Sequence, residues 1–394
     1  LPRRVDDPTT IEEMINEKIL EHNQDPSAHG QSDEAIYLHR ISSILDHVNY
    51  SIYNIKLHPI SRPIKAFVDA GGAAEFSRVQ DAITYVNALG GGKIFIKEGV
   101  YYLDDDLILY SNLDIEGEDN DTTILDFQNN AKGIVLTGTS TNHKRNVHLK
   151  NIQVRNVYGK RDGAIYFNYV DDVSIVNCKF SNISGSPPGV YYSVVFDEVI
   201  RGNIEKCYAT SVSGFVNTVN STKVMISANY CDNTSFYAVR VYGGNNISIL
   251  DNYFYDTNEV GIQLDAAIST QIRGNHIKVG SANAIILNES GRCLIDENYL
   301  EGGSFSESAI SIFEDSYDNR ISNNIIYNFS DIGIYIFPAD KNVIVGNRIT
   351  NCSTGIYISS SSDRNLVVSN NLYGTTTPLT DNGSNTLKGY NLIS

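Results

Sequence analysis

Between residues 226 and 372 one short phrase recurs seven times: ISANYC (226–231), ILDNYF (249–254), IRGNHI (272–277), IDENYL (295–300), ISNNII (321–326), IVGNRI (344–349) and VVSNNL (367–372). Asn falls at 229, 252, 275, 298, 324, 347 and 370, at intervals of 23 residues broken once by 26. Three positions before each Asn stands Ile or Val, and two positions after it stands Cys, Phe, Ile or Leu. Each phrase is followed by a second short strand: AVRV, GIQL, AIIL, AISI, GIYI and GIYI for the first six. Alternation with period two between turn residues marks these segments as strands. No single repeat can bury its apolar face, so neighbours must stack. Stacking at roughly 4.8 Å per strand sets the Asn residues directly above one another. There each amide can bond the next and satisfy buried turn backbone.

The period therefore predicts an all-β solenoid, a right-handed single-stranded parallel β-helix with an Asn ladder at one corner. A leucine-rich repeat also places Asn at such intervals, but it requires L-x-x-L-x-L spacing and a helix per repeat. Here Ile, Val and Phe dominate and no helical period appears. Earlier coils fit with longer loops: LKNIQV (149–154), IVNCKF (175–180) and EKCYAT (205–210) put Ile152, Cys178 and Cys207 in the Asn column. Cys178 and Cys207 on adjacent coils lie close enough for a disulfide. Buried free thiols in the place of Asn are the expectation.

Ahead of the coils, Phe76, Val79, Ala82, Ile83, Val86 and Leu89 recur at helical spacing, and Gly90-Gly91-Gly92 ends that helix. A helix here would plug the open end of a solenoid, which otherwise exposes core and strand edges. This segment resembles the pectate-lyase superfamily of β-helix proteins in Asp81-Ala82-Ile83, Gly91-Gly92-Lys93-Ile94 and Gly99-Val100-Tyr101. The Pro usual before the last motif is replaced by Lys97-Glu98. The resemblance runs from about residue 66 to 372 and implies the fold; that fold hosts lyases, hydrolases, epimerases and binders.

Residues 1–65 read differently. Thr10 and Glu13 form a capping-box pattern before a helical stripe of Ile11, Met14, Ile15 and Ile19. HNQDPSAHG (22–30) breaks that helix at Pro26. With His39 it offers three histidines, but no HxxxH or HxH spacing enforces a metal site. It reads as a hinge or docking corner. Its Asp-Pro-x-Ala-His-Gly turn ahead of a β-helix resembles the head segments of bacteriophage tail fibres and tailspikes. That resemblance implies a virion or extracellular location, a homotrimer, attachment to other tail proteins through residues 1–65, and a surface polysaccharide as partner. The expected division is a head at 1–65, a cap and first coils at 66–128, coils at 129–372 and a C-terminal cap at 373–394.

Composition sets bounds. Forty-six acidic against 30 basic residues give a net charge of -16, which argues against nucleic acid and anionic membrane surfaces as partners. No apolar run approaches the roughly 18 residues of a membrane span. Five cysteines without CxxC indicate neither a zinc ribbon nor a disulfide framework. The start Leu1-Pro2-Arg3-Arg4, without an initiator Met, reads as a fragment or processed product.

In GIQL the core residues are Ile262 and Leu264, so Gln263 and Asp265 point outward. The same register exposes Tyr166 and Asn168, Arg240 and Tyr242, Ile286 and Asn288, Ser311 and Phe313, Tyr335 and Phe337, and Tyr357 and Ser359. Glu289 and Glu314 follow one residue later. Aromatic rings suit the C–H faces of sugars, and amides, carboxylates and arginine suit their hydroxyls. Substrate contacts are therefore expected from Arg240, Tyr242, Gln263, Asn288, Phe313 and Tyr335. Glycoside hydrolysis needs paired carboxyls about 5 Å apart for retention or about 6.5–9.5 Å for inversion. Asp265 with Glu289, one coil apart, or with Glu314, two coils apart, are the expected pairs. Asp197 and Glu198 form a weaker pair whose side chains would point to opposite faces of a strand. A lyase or epimerase would instead use Arg240 and Tyr242 to neutralise a uronate, with Asp265 orienting or holding calcium. No calcium nonapeptide repeat is present, and no other cofactor or metal is expected. A pure binder or fibre segment would use the same groove without chemistry.

Overall fold

The computed structural model describes residues 64–160, 163–185 and 190–393. They wind into a parallel β-solenoid of three sheets with 14, 12 and 13 strands, every pair parallel. One coil shows the pattern. Ser248–Leu250 lies in the 14-stranded sheet, Tyr253–Thr257 in the 13-stranded sheet and Val260–Asp265 in the 12-stranded sheet. Ile249, Phe254, Ile262 and Leu264 of this coil are wholly buried. Stacked coil on coil, such residues form one continuous apolar core.

Asn252 sits between the first two of these strands and shows how the corner is satisfied. Its Oδ1 accepts from the Asn229 backbone N–H at 3.0 Å and from Asn229 Nδ2 at 2.9 Å. Its own Nδ2 donates to Ile226 O at 2.9 Å and to Asn275 Oδ1 at 2.9 Å. The same relay continues to Asn370, whose N–H and Nδ2 both reach Asn391 Oδ1. The ladder thus extends one rung beyond the seven seen in sequence. The residue before each rung turns the chain with positive φ, from Ala228 (54°) and Asp251 (54°) to Ser369 (56°). A shorter second ladder, Asn319–Asn342–Asn365, serves the corner between the 12- and 14-stranded sheets. Cys207 takes a rung position, and its N–H donates to Asn229 Oδ1 at 2.9 Å. All five cysteines are buried free thiols; burial pushes Cys293 and Cys352 up to about 11.

Helix α1 (Val79–Ala88) caps the first coils with Val79, Ala82, Ile83 and Val86 buried in the core. Phe76 precedes the helix in a bridge to Val68, and Leu89 is exposed after it, so the helix is shorter than its sequence stripe. Gly91 follows at φ +105°, and a Cβ there would come within 2.3 Å of Asn112 O. The first strand, Ile64–Val68, pairs with Gly92–Ile96, so the solenoid begins slightly before residue 66. Residues 1–63, with HNQDPSAHG, lie outside the described residues. At the other end Thr377–Asp381, Leu387–Gly389 and Leu392–Ile393 each join a sheet. The segment expected as a cap is a further coil. Among the described residues no helix is long and apolar enough to cross a membrane.

Candidate functional site

The outward column read from sequence is continuous in the 12-stranded sheet. Backbone register aligns Tyr166, Val195, Asn217, Arg240, Gln263, Ile286, Ser311, Tyr335 and Tyr357 on successive coils. Two residues later, Asn168, Asp197, Val219, Tyr242, Asp265, Asn288, Phe313 and Phe337 align likewise. Two expected members are not presented: Ser311 and Ser359 are buried. Ser311 Oγ is turned to Asn283 Oδ1 at 2.9 Å, and Ser359 lies past the end of its strand, bonded to neighbouring serines.

The column divides into a polar half and an aromatic half. Asp265 is the centre of the polar half. Its Oδ2 accepts from Arg240 Nε and Nη2, both at 2.8 Å. Its Oδ1 accepts from Gln263 Nε2 at 2.8 Å and Asn288 Nδ2 at 3.0 Å. Four donors from three coils fill the carboxylate. Arg240 is held in turn between two rings, with Cζ 5.8 Å from the centroids of both Tyr237 and Tyr242. This fixes a guanidinium in a cation–π clamp. Asp197, three coils away, repeats the theme by accepting from Tyr166 Oη and Asn168 Nδ2.

The aromatic half begins with Phe313. Its ring meets Tyr335 edge-on at 5.5 Å, Tyr335 stacks on Phe337 at 5.9 Å, and Tyr357 closes on Tyr335 at 5.4 Å. Phe337 is 46% exposed, so the cluster presents ring surface to solvent.

Glu289 and Glu314 occupy a third column, one residue past Asn288 and Phe313, with φ of 49° and 52°. Glu289 turns the chain after its strand, and Glu314 does so at a register shift within Ile310–Tyr317. Both are exposed, and neither carboxylate has a hydrogen-bond partner or ion pair among the described residues. Glu198 shares this turn column at φ 54° and accepts from Asn220 Nδ2. It is a turn residue, so the opposite-faces argument for Asp197 and Glu198 does not apply.

Tyr237 and Tyr192 beside Arg240, and Glu259 within electrostatic reach of Tyr237, escaped the sequence reading. Tyr237 begins the Arg240 strand, but adjacent buried Ala238 and Val239 break the alternation that would have pointed to it. Tyr192 is 4% exposed, and its hydroxyl is enclosed beside Arg240. Burial pushes the phenol well up, with Arg240 close enough to act in the opposite direction. Gly214 makes room for this ring, because a Cβ there would come within 2.6 Å of it. Glu259 precedes the Val260–Asp265 strand, and local desolvation pushes its carboxyl up even though the residue is exposed. Among the described residues no three His, Cys, Asp or Glu side chains gather in a way that would hold a metal ion.

These coils define the class, and comparison with known proteins gives the family. The sequence pattern of the family described as "Right handed beta helix region" matches residues 132–299 and 260–389. Together these spans exceed half of the chain, and the chain belongs to that family. Among solved structures it is similar to PfbA, a surface adhesin of Streptococcus pneumoniae, with TM-score 0.59 at 15% identity over 78% of this chain and 87% of that one. It is similar to the periplasmic alginate epimerase AlgG, with TM-score 0.58 at 13% identity over 80% and 83% of the two chains. Tailspike protein 3 of bacteriophage CBA120 gives 0.57 at 13% identity over 90% of this chain and 69% of that one. At such identities the likeness establishes the fold. No curated protein matches by sequence.

Proposed function

We propose that the outer face of the 12-stranded sheet binds a cell-surface polysaccharide lengthwise and that the chain hydrolyses it. The observation that carries this is the continuous column running from the Arg240–Asp265 cluster to the Phe313–Tyr335–Phe337 rings. Sugars require hydroxyl partners and apolar ring faces on one surface, and this face supplies both along its length. Tyr242, Gln263 and Asn288 surround the fixed guanidinium, and Phe313 and Tyr335 support sugars further along.

The cleaving pair in this reading is Glu289 and Glu314. Their register neighbours Asn288 and Phe313 are paired strand residues, so the two glutamates stand one coil apart, roughly 4.8 Å along the stack. That spacing is nearest to the retaining arrangement of about 5–5.5 Å. Asp265, filled by four donors, holds Arg240 in place rather than attacking or giving a proton. Glu289→Gln and Glu314→Gln are each expected to cut cleavage of the responsive polysaccharide about a thousandfold while binding persists. A capsule and glycan screen, with mass and anomeric analysis of the products, reads this out. Cleavage that survives both substitutions removes the pair.

A second reading rests on the Arg240 clamp beside the enclosed Tyr192 hydroxyl. There Arg240 and Tyr242 would neutralise a uronate and the chain would be a lyase or epimerase, with calcium as an added ligand. Its products would be unsaturated or inverted uronates. A chain that binds glycan and yields no product of either kind is an adhesin or fibre segment.

In the main reading the protein is a homotrimer of tailspike type, on a virion or otherwise outside the cell, joined to other tail proteins through the head at residues 1–65. Sedimentation at micromolar concentration is expected to give three chains; a monomer removes the trimer.

A further inference from the structure

The outer face of the 14-stranded sheet carries a second row of chemistry, remote in sequence from the column around Asp265. Strands Leu113–Gly117, Lys144–Lys150 and Val170–Val176 lie side by side. Their register sets Asp114, His148 and Ser174 in one column on three successive coils. The flanking Leu113, Ile115, Val147, Leu149, Val173 and Ile175 are buried in the core, so the column faces outward. Ser174 Oγ lies 2.6 Å from His148 Nδ1. On the other side of the ring, His148 Nε2 lies 4.0 Å from Asp114 Oδ1. One coil beyond Ser174 the same column holds Asn203, whose Nδ2 makes only a long 3.4 Å contact to Glu205.

We propose that Ser174, His148 and Asp114 form a serine-nucleophile esterase centre that removes short acyl groups from carbohydrate hydroxyls, with Asn203 as the oxyanion donor. The roles follow from the geometry. In the tautomer protonated at Nε2, the Ser174 hydroxyl donates to the Nδ1 lone pair, which is the nucleophile–base contact that acyl transfer requires. The Nε2–H then faces the Asp114 carboxylate. At 4.0 Å that contact is loose, and it tightens when the ring becomes an imidazolium, as catalytic hydrogen bonds commonly do only with substrate in place. Asp172 adds a second negative charge within electrostatic reach of His148.

The step balances without a further reactant except water. Ser174 Oγ attacks the ester carbonyl as its proton passes to His148 Nδ1, and the carbonyl oxygen becomes an oxyanion facing the Asn203 amide. The C–O bond to the sugar breaks, His148 returns the proton to the leaving sugar hydroxyl, and an acyl-serine remains. Water, deprotonated by His148, attacks this ester; the carboxylic acid leaves and Ser174 regains its proton.

The surroundings select the acyl group. The column is flanked by charge: Lys93, one coil before Asp114 in the same column, bridges Glu116 at 2.5 Å, and Glu116, two residues along the strand from Asp114, reaches Lys150 at 3.3 Å. Such a ledge suits an acetyl-sized group on a polar sugar and disfavours a long acyl chain. The choice of a carbohydrate ester rests on the polysaccharide reading above, whereas the serine chemistry does not.

The test uses the full chain with three probes: a fluorophosphonate, p-nitrophenyl acetate and acetylated xylo-oligosaccharides. The expected result is one phosphonate adduct, mapped to Ser174, and acetate release from both esters. Ser174→Ala and His148→Gln should each lower that release at least a hundredfold, and Asp114→Asn about tenfold or more, with unchanged thermal midpoints for Ser174→Ala. Phosphonate labelling of Ser174 and release from p-nitrophenyl acetate do not depend on glycan cleavage, which separates this centre from the glycan-cleaving pair. Release from p-nitrophenyl acetate but not from the oligosaccharides keeps the serine centre and rejects the carbohydrate ester. No adduct at Ser174, or acetate release that survives Ser174→Ala, overturns the proposal whatever His148→Gln does to folding.

Discussion

Asn275→Ala should destabilise the solenoid by about 3 kcal/mol or more, far beyond the roughly 1 kcal/mol typical of a point substitution. The Asn275 side chain is wholly committed. Its Oδ1 accepts from the backbone N–H and the Nδ2 of Asn252, at 3.0 and 2.9 Å. Its Nδ2 donates to Ile249 O at 2.8 Å, and further contacts run to Arg273 O and Asn298 Oδ1. Alanine leaves the Asn252 N–H buried without its acceptor, and such a group costs about 1–3 kcal/mol by itself. The lost carbonyl and amide contacts add to that. Leucine at the same position should do no better, since it restores volume without an acceptor. Urea unfolding followed by circular dichroism measures the loss. In a stacked array stability is shared between neighbouring coils, so Asn370→Ala, near the last coil and bonded to the half-buried Asn391, should cost less. A loss below about 1 kcal/mol for Asn275→Ala would mean that the ladder merely accompanies the stack.

The ladder also explains how much could be read in advance. Each rung solves the same problem with the same residue, so the solution prints itself on the sequence every 23 residues. The outward column was legible for a related reason: strand alternation fixes which of Gln263 and Leu264 faces solvent once one of them is known to be core. What the period does not encode stayed hidden. Tyr237 sits where two consecutive residues, Ala238 and Val239, are both buried, so alternation gives the wrong phase there. Tyr192 begins a strand after the segment 186–189, in a coil longer than the repeat. Asp114, His148 and Ser174 belong to early coils of unequal length, and no fixed spacing announces that they share a column. The state of Asp265 was invisible for another reason. Its outward placement follows from register, but the four donors that fill it come from side-chain conformations that register does not set.

Asp265→Asn should weaken polysaccharide binding about tenfold and leave turnover of bound polysaccharide within about tenfold of the parent chain. A carboxylate that takes part in bond cleavage behaves otherwise: its amide lowers kcat by three or more orders of magnitude with little change in KM. The expectation of a binding effect follows from what Asp265 touches. It anchors Arg240, and Arg240 carries the fixed positive charge between Tyr237 and Tyr242. An amide in its place keeps the shape but turns one donor towards groups that already donate, so the Arg240 fork loosens. Asp265→Ala should go further, costing about 2 kcal/mol of stability as well, because a partly buried guanidinium loses its counter-ion. Removing both partners tests this directly. If the cost is the stranded charge of Arg240, then Asp265→Ala combined with Arg240→Leu should be more stable than Asp265→Ala alone, with a coupling of about 1–3 kcal/mol. The double substitution should still fail to bind polysaccharide, since the clamp it restores to stability no longer holds a charge. Additive losses in the cycle, or a kcat effect without a binding effect in Asp265→Asn, would return Asp265 from the scaffold of the site to its chemistry.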